Sequence, residues 1–404
     1  MRPLVFVIHD MNLWSGQERC TLEVARRLSY RWPVEVVAYS LEDPALDSRW
    51  GALKFHRIRP NLRHPMILRS ALFHGATLAR LLGARLGRKE RPLIHAAGAC
   101  SLVADVVQVH FVQAAWRARK ASLPLDVVRP PRAGAEHGLA TRALEAYHDA
   151  LLAYHCAIEA RVFTPDKTYL AISRQVAREL EEHFGLGEQV SVVHHGVDSE
   201  VFHPVDASTA EHRHALRRSL GVPDDRFVAG FVGVFERKGL GTAIDALAAL
   251  SPAVLSRIHL VAVGAGNQTR FRERAERLGL GERVTLVGPK HGIESYFRLF
   301  DAFVFPTLYE PFGLAVLEAM ATGIPVLVSA LAGASELVED GETGILLRNP
   351  LDPRELARGL ERLVLEPELA SQIGAGARRV AETHSWDRVA RRYEEILAPI
   401  MEKT

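Results

Sequence analysis

Short, unbroken apolar runs alternate with stretches of helical spacing along this 404-residue chain. "LVFVI" (4–8) and "VEVVAY" (34–39) read as strands, and Glu18–Leu28 between them has apolar residues at helical spacing. "TYLAIS" (168–173) predicts a strand, followed by a helix over Arg174–Phe184. Near residue 200 the alternation restarts. "FVAGFVGVF", "IHLVAVG", "RVTLVG", "AFVFP" and "IPVLVS" predict strands, with helices over Leu240–Leu250 and Phe271–Leu278. A strand that is apolar throughout is buried on both faces, so it belongs in a parallel sheet with helices on each side. The chain therefore reads as α/β, with two Rossmann-like, doubly wound parallel-sheet domains. Its length agrees, at about 100–200 residues per domain. The turn-rich "HHGVDSEVFHPVDAS" (194–208) marks the boundary, giving a first domain over 1–197 and a second over 198–384. The final "HSWDRVARRYEEILAPIMEK" predicts an amphipathic helix with Trp386, Val389, Tyr393 and Leu397 on one face. Residues 385–404 are expected to pack back on the first domain. In such sheets ligands bind at the carboxyl ends of the strands. A deep cleft between two facing domains is then the default site.

Net charge is only +2, but its distribution is uneven. Residues 1–200 hold 26 Lys/Arg against 21 Asp/Glu, and residues 49–91 hold eleven against the single acid Glu90. A second basic stretch runs from Arg117 to Arg132. These can be solvated helix faces, or a surface for anionic lipid or a phosphorylated acceptor. Nucleic acid is disfavoured, because few aromatics stand among the arginines and no known module is present. Cys20, Cys100 and Cys156 are odd in number and widely spaced, without a metal or redox motif, so a reducing cytoplasm is expected. "PLVFVI" is too short for the apolar core of a signal peptide, and no apolar run reaches about 18 residues.

Several motifs carry chemistry. Gly16 in "HDMNLWSGQER" lies in a strand-to-helix turn and either only turns the chain or lets an anion approach the helix N-terminus. The motif is not G-x-G-x-x-G, which lowers a dinucleotide reading. In "GVFERKGLGTAIDAL", Gly233 ends a strand and Arg237 and Lys238 precede a helix, where two cations form a plain basic loop or neutralise a diphosphate. Gly264 and Gly266 end the next strand, as an ordinary turn or for close ligand approach. "VGPKHGI", with Lys290, is a plain loop or frames a nucleobase. In "LYEPFGLAVLEAM" a helix is expected to start near Gly313, with Glu310 before it and Glu318 on it. Eight residues of helix span on the order of 12 Å, whereas glycosidase carboxyl pairs stand about 5–9.5 Å apart. The two are surface glutamates of an amphipathic helix, which the apolar flanks disfavour, or two polyol clamps, because a carboxylate accepts hydrogen bonds from vicinal hydroxyls. Free amides between them attract phosphate. The order reads sugar, diphosphate, ribose.

The stretch "LYEPFGLAVLEAMATGIPVLVSALAGASELVEDGETGILL" resembles the signature of the retaining GT-B glycosyltransferases of family four. "FVGVFERKGL", "YLAISRQVARELEEHFG" and "HHGVDSEVFHP" are similar to further family motifs, the last with His195 where Asn is usual. The likeness covers essentially the whole chain and is weakest over 41–140. "SGQER" and "FERKG" look closest to the lipopolysaccharide-core glucosyltransferase branch.

The resemblance implies a GT-B architecture and assigns roles. Glu310 would bind donor-sugar hydroxyls and Glu318 the ribose. Arg237 and Lys238 would hold the diphosphate, helped by the amides at Phe312, Gly313 and Leu314 and by Gly16. Ser15 stands where the family often has a second glycine. Gly233, Gly264, Gly266 and Lys290 would complete the donor site, with Asn12 and Arg19 toward the acceptor. His110 in "VVQVHFVQ" matches the family's histidine, or is a core histidine. The implied reaction passes a hexose-type sugar from a nucleoside diphosphate, expected to be UDP, to a glycan or glycolipid hydroxyl with retention. A role in lipopolysaccharide or other cell-surface polysaccharide biosynthesis would follow, in the cytoplasm or on the inner membrane face. No Asp-x-Asp pair stands at a predicted strand end, so neither metal nor cofactor is expected. A non-hydrolysing nucleotide-sugar epimerase and a non-catalytic sugar-nucleotide sensor share the required pocket. A dinucleotide-dependent oxidoreductase lacks its fingerprint here.

Overall fold

The computed structural model describes residues 2–11, 16–41, 53–59, 64–87, 90–123 and 139–402. They form two compact units, one of Met1–His195 with Trp386–Thr404 and one of Gly196–Ser385.

The first unit is built on a seven-stranded parallel sheet. Its strands are β1 (Leu4–Val7), β2 (Val34–Ala38), β3 (Lys54–Arg57), β4 (Leu93–Ala97), β5 (Val106–Val109), β6 (Thr168–Ala171) and β7 (Val190–Val192), in the order β3-β2-β1-β4-β5-β6-β7. The central strands β1, β4 and β5 are buried at every residue, β1 as an unbroken apolar run and β4 and β5 with His95 and Gln108 buried among their apolar residues. Helix Arg174–Phe184 starts where Ser173 Oγ accepts from the Val176 amide at 3.1 Å and stops at Gly185, whose φ is 67°. Two long helices, Met66–Gly87 and Leu139–Val162, were not apparent from sequence spacing. The last helix, Trp386–Glu402, buries Trp386, Val389, Tyr393 and Leu397. It lies against helix Gly16–Leu28, with Asp387 2.5 Å from Arg27 and Glu394 3.4 Å from Arg31.

The second unit holds a six-stranded parallel sheet: β8 (Phe227–Val232), β9 (Ile258–Val263), β10 (Val284–Gly288), β11 (Ala302–Phe305), β12 (Val326–Ser329) and β13 (Ile345–Leu347), ordered β10-β9-β8-β11-β12-β13. Phe231, Phe235, Leu240, Ile244, Leu247 and Leu260 belong to one core between the sheet and its helices. The two ends of this unit meet, because the Val197 amide donates to the His384 carbonyl at 2.8 Å.

Both sheets are doubly wound, as expected from the sequence. Among the described residues no helix is long and apolar enough to cross a membrane. No group of three or more His, Cys, Asp or Glu is placed to hold a metal ion among them. The expected basic surface falls partly outside the described residues, which omit 42–52, 60–63, 88–89 and 124–138.

Candidate functional site

In the second unit the strand order turns back between β8 and β11, which are neighbours in the middle of the sheet. Loops leaving the carboxyl ends of such a pair diverge to opposite sides and open a crevice. Those two loops carry Gly233–Gly239 and Pro306–Gly313.

Backbone hydrogen bonds tie three neighbouring strand ends together. The Gly233 amide donates to Val263 O at 3.0 Å, Phe235 to Ala265 O at 2.9 Å, and Gly264 to Gly288 O at 3.0 Å. Gly264 has φ 149°, and a Cβ there would overlap the Gly233 carbonyl. A Cβ on Gly266 would stand 2.6 Å from that of Phe235. Packing of one loop on the next thus requires both glycines, independently of any ligand.

Lys238 and Glu310 come together across the crevice, with Nζ in contact with the carboxylate. Lys238 is 9% exposed, and its ammonium lies 5.2 Å above the Phe305 ring. Burial, and then the neighbouring charge of Arg237, push its pKa well below the ordinary lysine value. The opposing carboxylate favours the charged form. Glu310 is held through its backbone: its amide donates to Leu331 O at 3.2 Å, and its carbonyl accepts from the Gly333 amide at 2.8 Å. The chain then turns at Gly313, φ 102°, into helix Leu314–Ala321, whose start no side chain caps. Its first amides therefore face the crevice with the positive end of the helix dipole. Phe312 is buried, and its carbonyl accepts from Ala334 at 2.7 Å. Arg237 is exposed beside Lys238, and its carbonyl accepts from Thr307 Oγ1 at 3.3 Å. Glu318, only 5% exposed, stands in the same helix that Gly313 opens. Lys290 is exposed on the loop after β10. Among the described residues no contact draws it to the Lys238–Glu310 pair.

Sequence reasoning missed the brace formed by Leu331–Ala334. Its small residues let the backbone run against Glu310 and Phe312, and "ALAGA" is the only trace of this in the sequence.

In the first unit Gly16 begins helix Gly16–Leu28 and is exposed, with Arg19 one turn on. Asn12 lies outside the described residues. His110 is buried just beyond β5, stacked on His195 with ring centroids 5.3 Å apart. Burial, then His195 and His95, push its pKa well below 6.5, so the ring is neutral near pH 7. His195, pushed down to about 3 by burial, His194 and Arg19, is the residue at which the sequence departs from the expected Asn. The helix after His110, Gln113–Ser122, is capped from a distance. Glu159, 2% exposed, accepts from the amides of Gln113 at 2.6 Å and Ala114 at 3.1 Å. Burial pushes Glu159 up to about 7 against those two bonds. Nothing in "AIEARV" distinguishes it from an ordinary surface glutamate.

The chain matches two family models, Glycosyltransferase Family 4 over residues 14–201 and Glycosyl transferases group 1 over residues 212–380. It is 35% identical over 215 residues to a D-inositol 3-phosphate glycosyltransferase of Stackebrandtia nassauensis, covering 50% of this chain and 47% of that protein. An uncharacterized glycosyltransferase of Methanocaldococcus jannaschii is 28% identical over 91% of this chain and 90% of its own length. The chain spans about half the length of the inositol-phosphate relatives it matches, 47% and 52% for two of them. Among solved structures, WaaG, a glycosyltransferase involved in lipopolysaccharide biosynthesis, superposes with a TM-score of 0.74 at 18% identity, covering 97% of this chain and 99% of that one. Anabaena HepE in complex with UDP and glucose superposes with a TM-score of 0.71 at 21% identity, covering 99% and 100%. At such identities these likenesses concern the fold.

Proposed function

As the chain belongs to the group 1 and family 4 glycosyltransferases and has their GT-B fold, we propose that it transfers a hexose-type sugar from a nucleoside diphosphate, UDP in the first instance, to a hydroxyl of a glycan or glycolipid with retention at the anomeric carbon. The observation that carries this reading is the buried Lys238–Glu310 pair at the head of an uncapped helix. A buried charge needs a partner, and a sugar nucleotide supplies one to each member. Its diphosphate replaces the carboxylate at Lys238, and its sugar hydroxyls replace the ammonium at Glu310. The pair can therefore open without leaving either charge unmatched.

During transfer the bond from C1 to the diphosphate oxygen breaks and a bond from C1 to the acceptor oxygen forms on the same face. The acceptor proton passes to a phosphate oxygen. Negative charge grows on the leaving diphosphate, and in this reading Lys238, Arg237 and the amides at Gly313 and Leu314 stabilise it. Donors fixed in advance at a developing charge are the largest catalytic contribution of this kind, on the order of 10²–10³ in kcat each. Glu318 binds the ribose in this reading. The acceptor belongs to cell-surface polysaccharide or lipopolysaccharide assembly at the cytoplasmic face of the membrane. Helix Met66–Gly87 has no acidic residue, and Leu86 on it is 89% exposed, which supports contact with anionic lipid. Equal binding to anionic and neutral vesicles would remove that part of the proposal.

The experiment is a panel of nucleotide sugars assayed for nucleotide release with and without glycan acceptors, with the product's anomeric configuration read by NMR. Glu310→Ala and Lys238→Ala should abolish acceptor-dependent release. Turnover unchanged in both variants would refute the assignment. Conversion of a nucleotide sugar without acceptor would indicate an epimerase instead.

A further inference from the structure

A second cavity, of about 530 Å³, lies in the same unit at the opposite end of the sheet from Lys238 and Glu310. Phe227, Asp301 and Pro325 line it, standing at the amino-terminal ends of β8, β11 and β12. Its volume falls in the range of roughly 300–1,000 Å³ found for small-molecule sites.

Its chemistry is two-sided. Phe300, Ile324, Leu363 and Val364 give it an apolar wall. Against that wall stand four guanidinium groups, Arg213, Arg226, Arg257 and Arg298, and only two carboxylates, Asp225 and Asp301. Asp301 is fully committed, accepting from Arg213 at 2.7 Å and from the Val228 amide at 2.8 Å. Arg213 is spent on Asp301 and on the Arg298 carbonyl at 3.0 Å. Asp225 is exposed and stands 3.6 Å from Arg226. Among the described residues the Arg298 guanidinium has one bond, to the Val201 carbonyl at 3.0 Å. The guanidinium of Arg257 has no partner among the described residues. Folding uses Arg213 and Asp301, whereas most donors of Arg226, Arg257 and Arg298 are left over beside an apolar surface.

We propose that this cavity binds a small amphipathic anion, with an apolar body against Phe300, Ile324 and Leu363 and one carboxylate or phosphate-monoester head on Arg226, Arg257 and Arg298. A planar guanidinium matches such heads in bidentate fashion. Four cations against two acids leave a surplus that one mono- or dianionic head neutralises, whereas a polyphosphate would exceed it.

The test uses the full chain and 8-anilinonaphthalene-1-sulfonate, an aromatic monoanion whose emission rises on binding. Titration should be saturable at one site and unchanged by excess UDP. Decanoate and decyl phosphate should displace the dye, with decanol and inorganic phosphate at least tenfold weaker. The double variant Arg226→Glu/Arg257→Glu should weaken dye binding more than tenfold with an unaltered Tm. Ile324→Trp, which fills the apolar half, should abolish it. Displacement by UDP would place the dye in the crevice of Lys238 and overturn the inference. Displacement by decanol as strong as by decanoate, or wild-type affinity in the double variant, would overturn it too.

Discussion

Replacing Glu310 by Ala isolates the energetics of the buried pair. The side chains of Lys238 and Glu310 are 11% and 16% exposed, so solvent screens them little. Removing one partner of a buried pair costs about 3–5 kcal/mol, because the other charge stays desolvated. Lysine has an escape, which is to shed its proton. Burial and Arg237 already push it that way, and the variant removes the carboxylate that opposes them. The folded pKa of Lys238 in the variant then lies below the unfolded value of about 10.4. Between those two values the unfolded chain binds a proton that the folded chain lacks. Stability of the variant therefore rises with pH there, by up to about 1.4 kcal/mol per unit. Because the variant's lysine gives up its proton at a lower pH than the wild type's, the deficit against wild type should be larger at low pH and shrink as pH rises. Adding Lys238→Met removes the stranded charge, and the double variant should recover most of the loss. None of the five tryptophans lies between residues 196 and 385. The urea midpoint should therefore be read by circular dichroism rather than by tryptophan emission. A loss below about 1 kcal/mol, a deficit independent of pH, or a double variant that loses the sum of the singles would refute this account.

Two further outcomes follow from the first and second units. Glu159, with a folded pKa of about 7 above its unfolded value, contributes stability that is present below about pH 4.5 and lost as pH rises through about 7. Wild type should thus lose stability relative to Glu159→Gln between pH 5 and 8, read from Trp116 emission in the helix it caps; parallel pH profiles would contradict this. Gly264→Ala should lower the Tm and weaken nucleotide-sugar binding together, since its Cβ forces the Gly233 loop away; a wild-type Tm would show that the loops have room to spare.

The elements legible in the sequence are those whose local signals agree. Helix Arg174–Phe184 has a Ser cap, an apolar stripe ending in Leu180, and a closing glycine, and its bounds are as expected. Strands β8 to β12 follow their apolar runs. Helix Met66–Gly87 was illegible because Leu68, Leu82 and Leu86 face outward and blur the stripe. The spacing of Glu310 and Glu318 and the dibasic Arg237–Lys238 were visible as separate motifs. That Lys238 contacts Glu310, 72 positions later in the chain, depends on β8 and β11 being neighbours, which no local pattern encodes. Glu159 was hidden for the same reason, since the amides it caps lie 46 and 45 residues away.

The first unit takes its closing helix, Trp386–Glu402, from beyond the second unit, whereas Gly196–Ser385 is one continuous segment. Ribosomal synthesis runs the other way, delivering amino-terminal domains first. Here the segment Gly196–Ser385 has all its parts when Ser385 emerges, while the segment made before it must wait with the apolar seat of Tyr393 and Leu397 uncovered until Trp386–Glu402 has followed. The later-made segment can therefore mature before the earlier one, and the earlier one is the portion that needs shelter from aggregation.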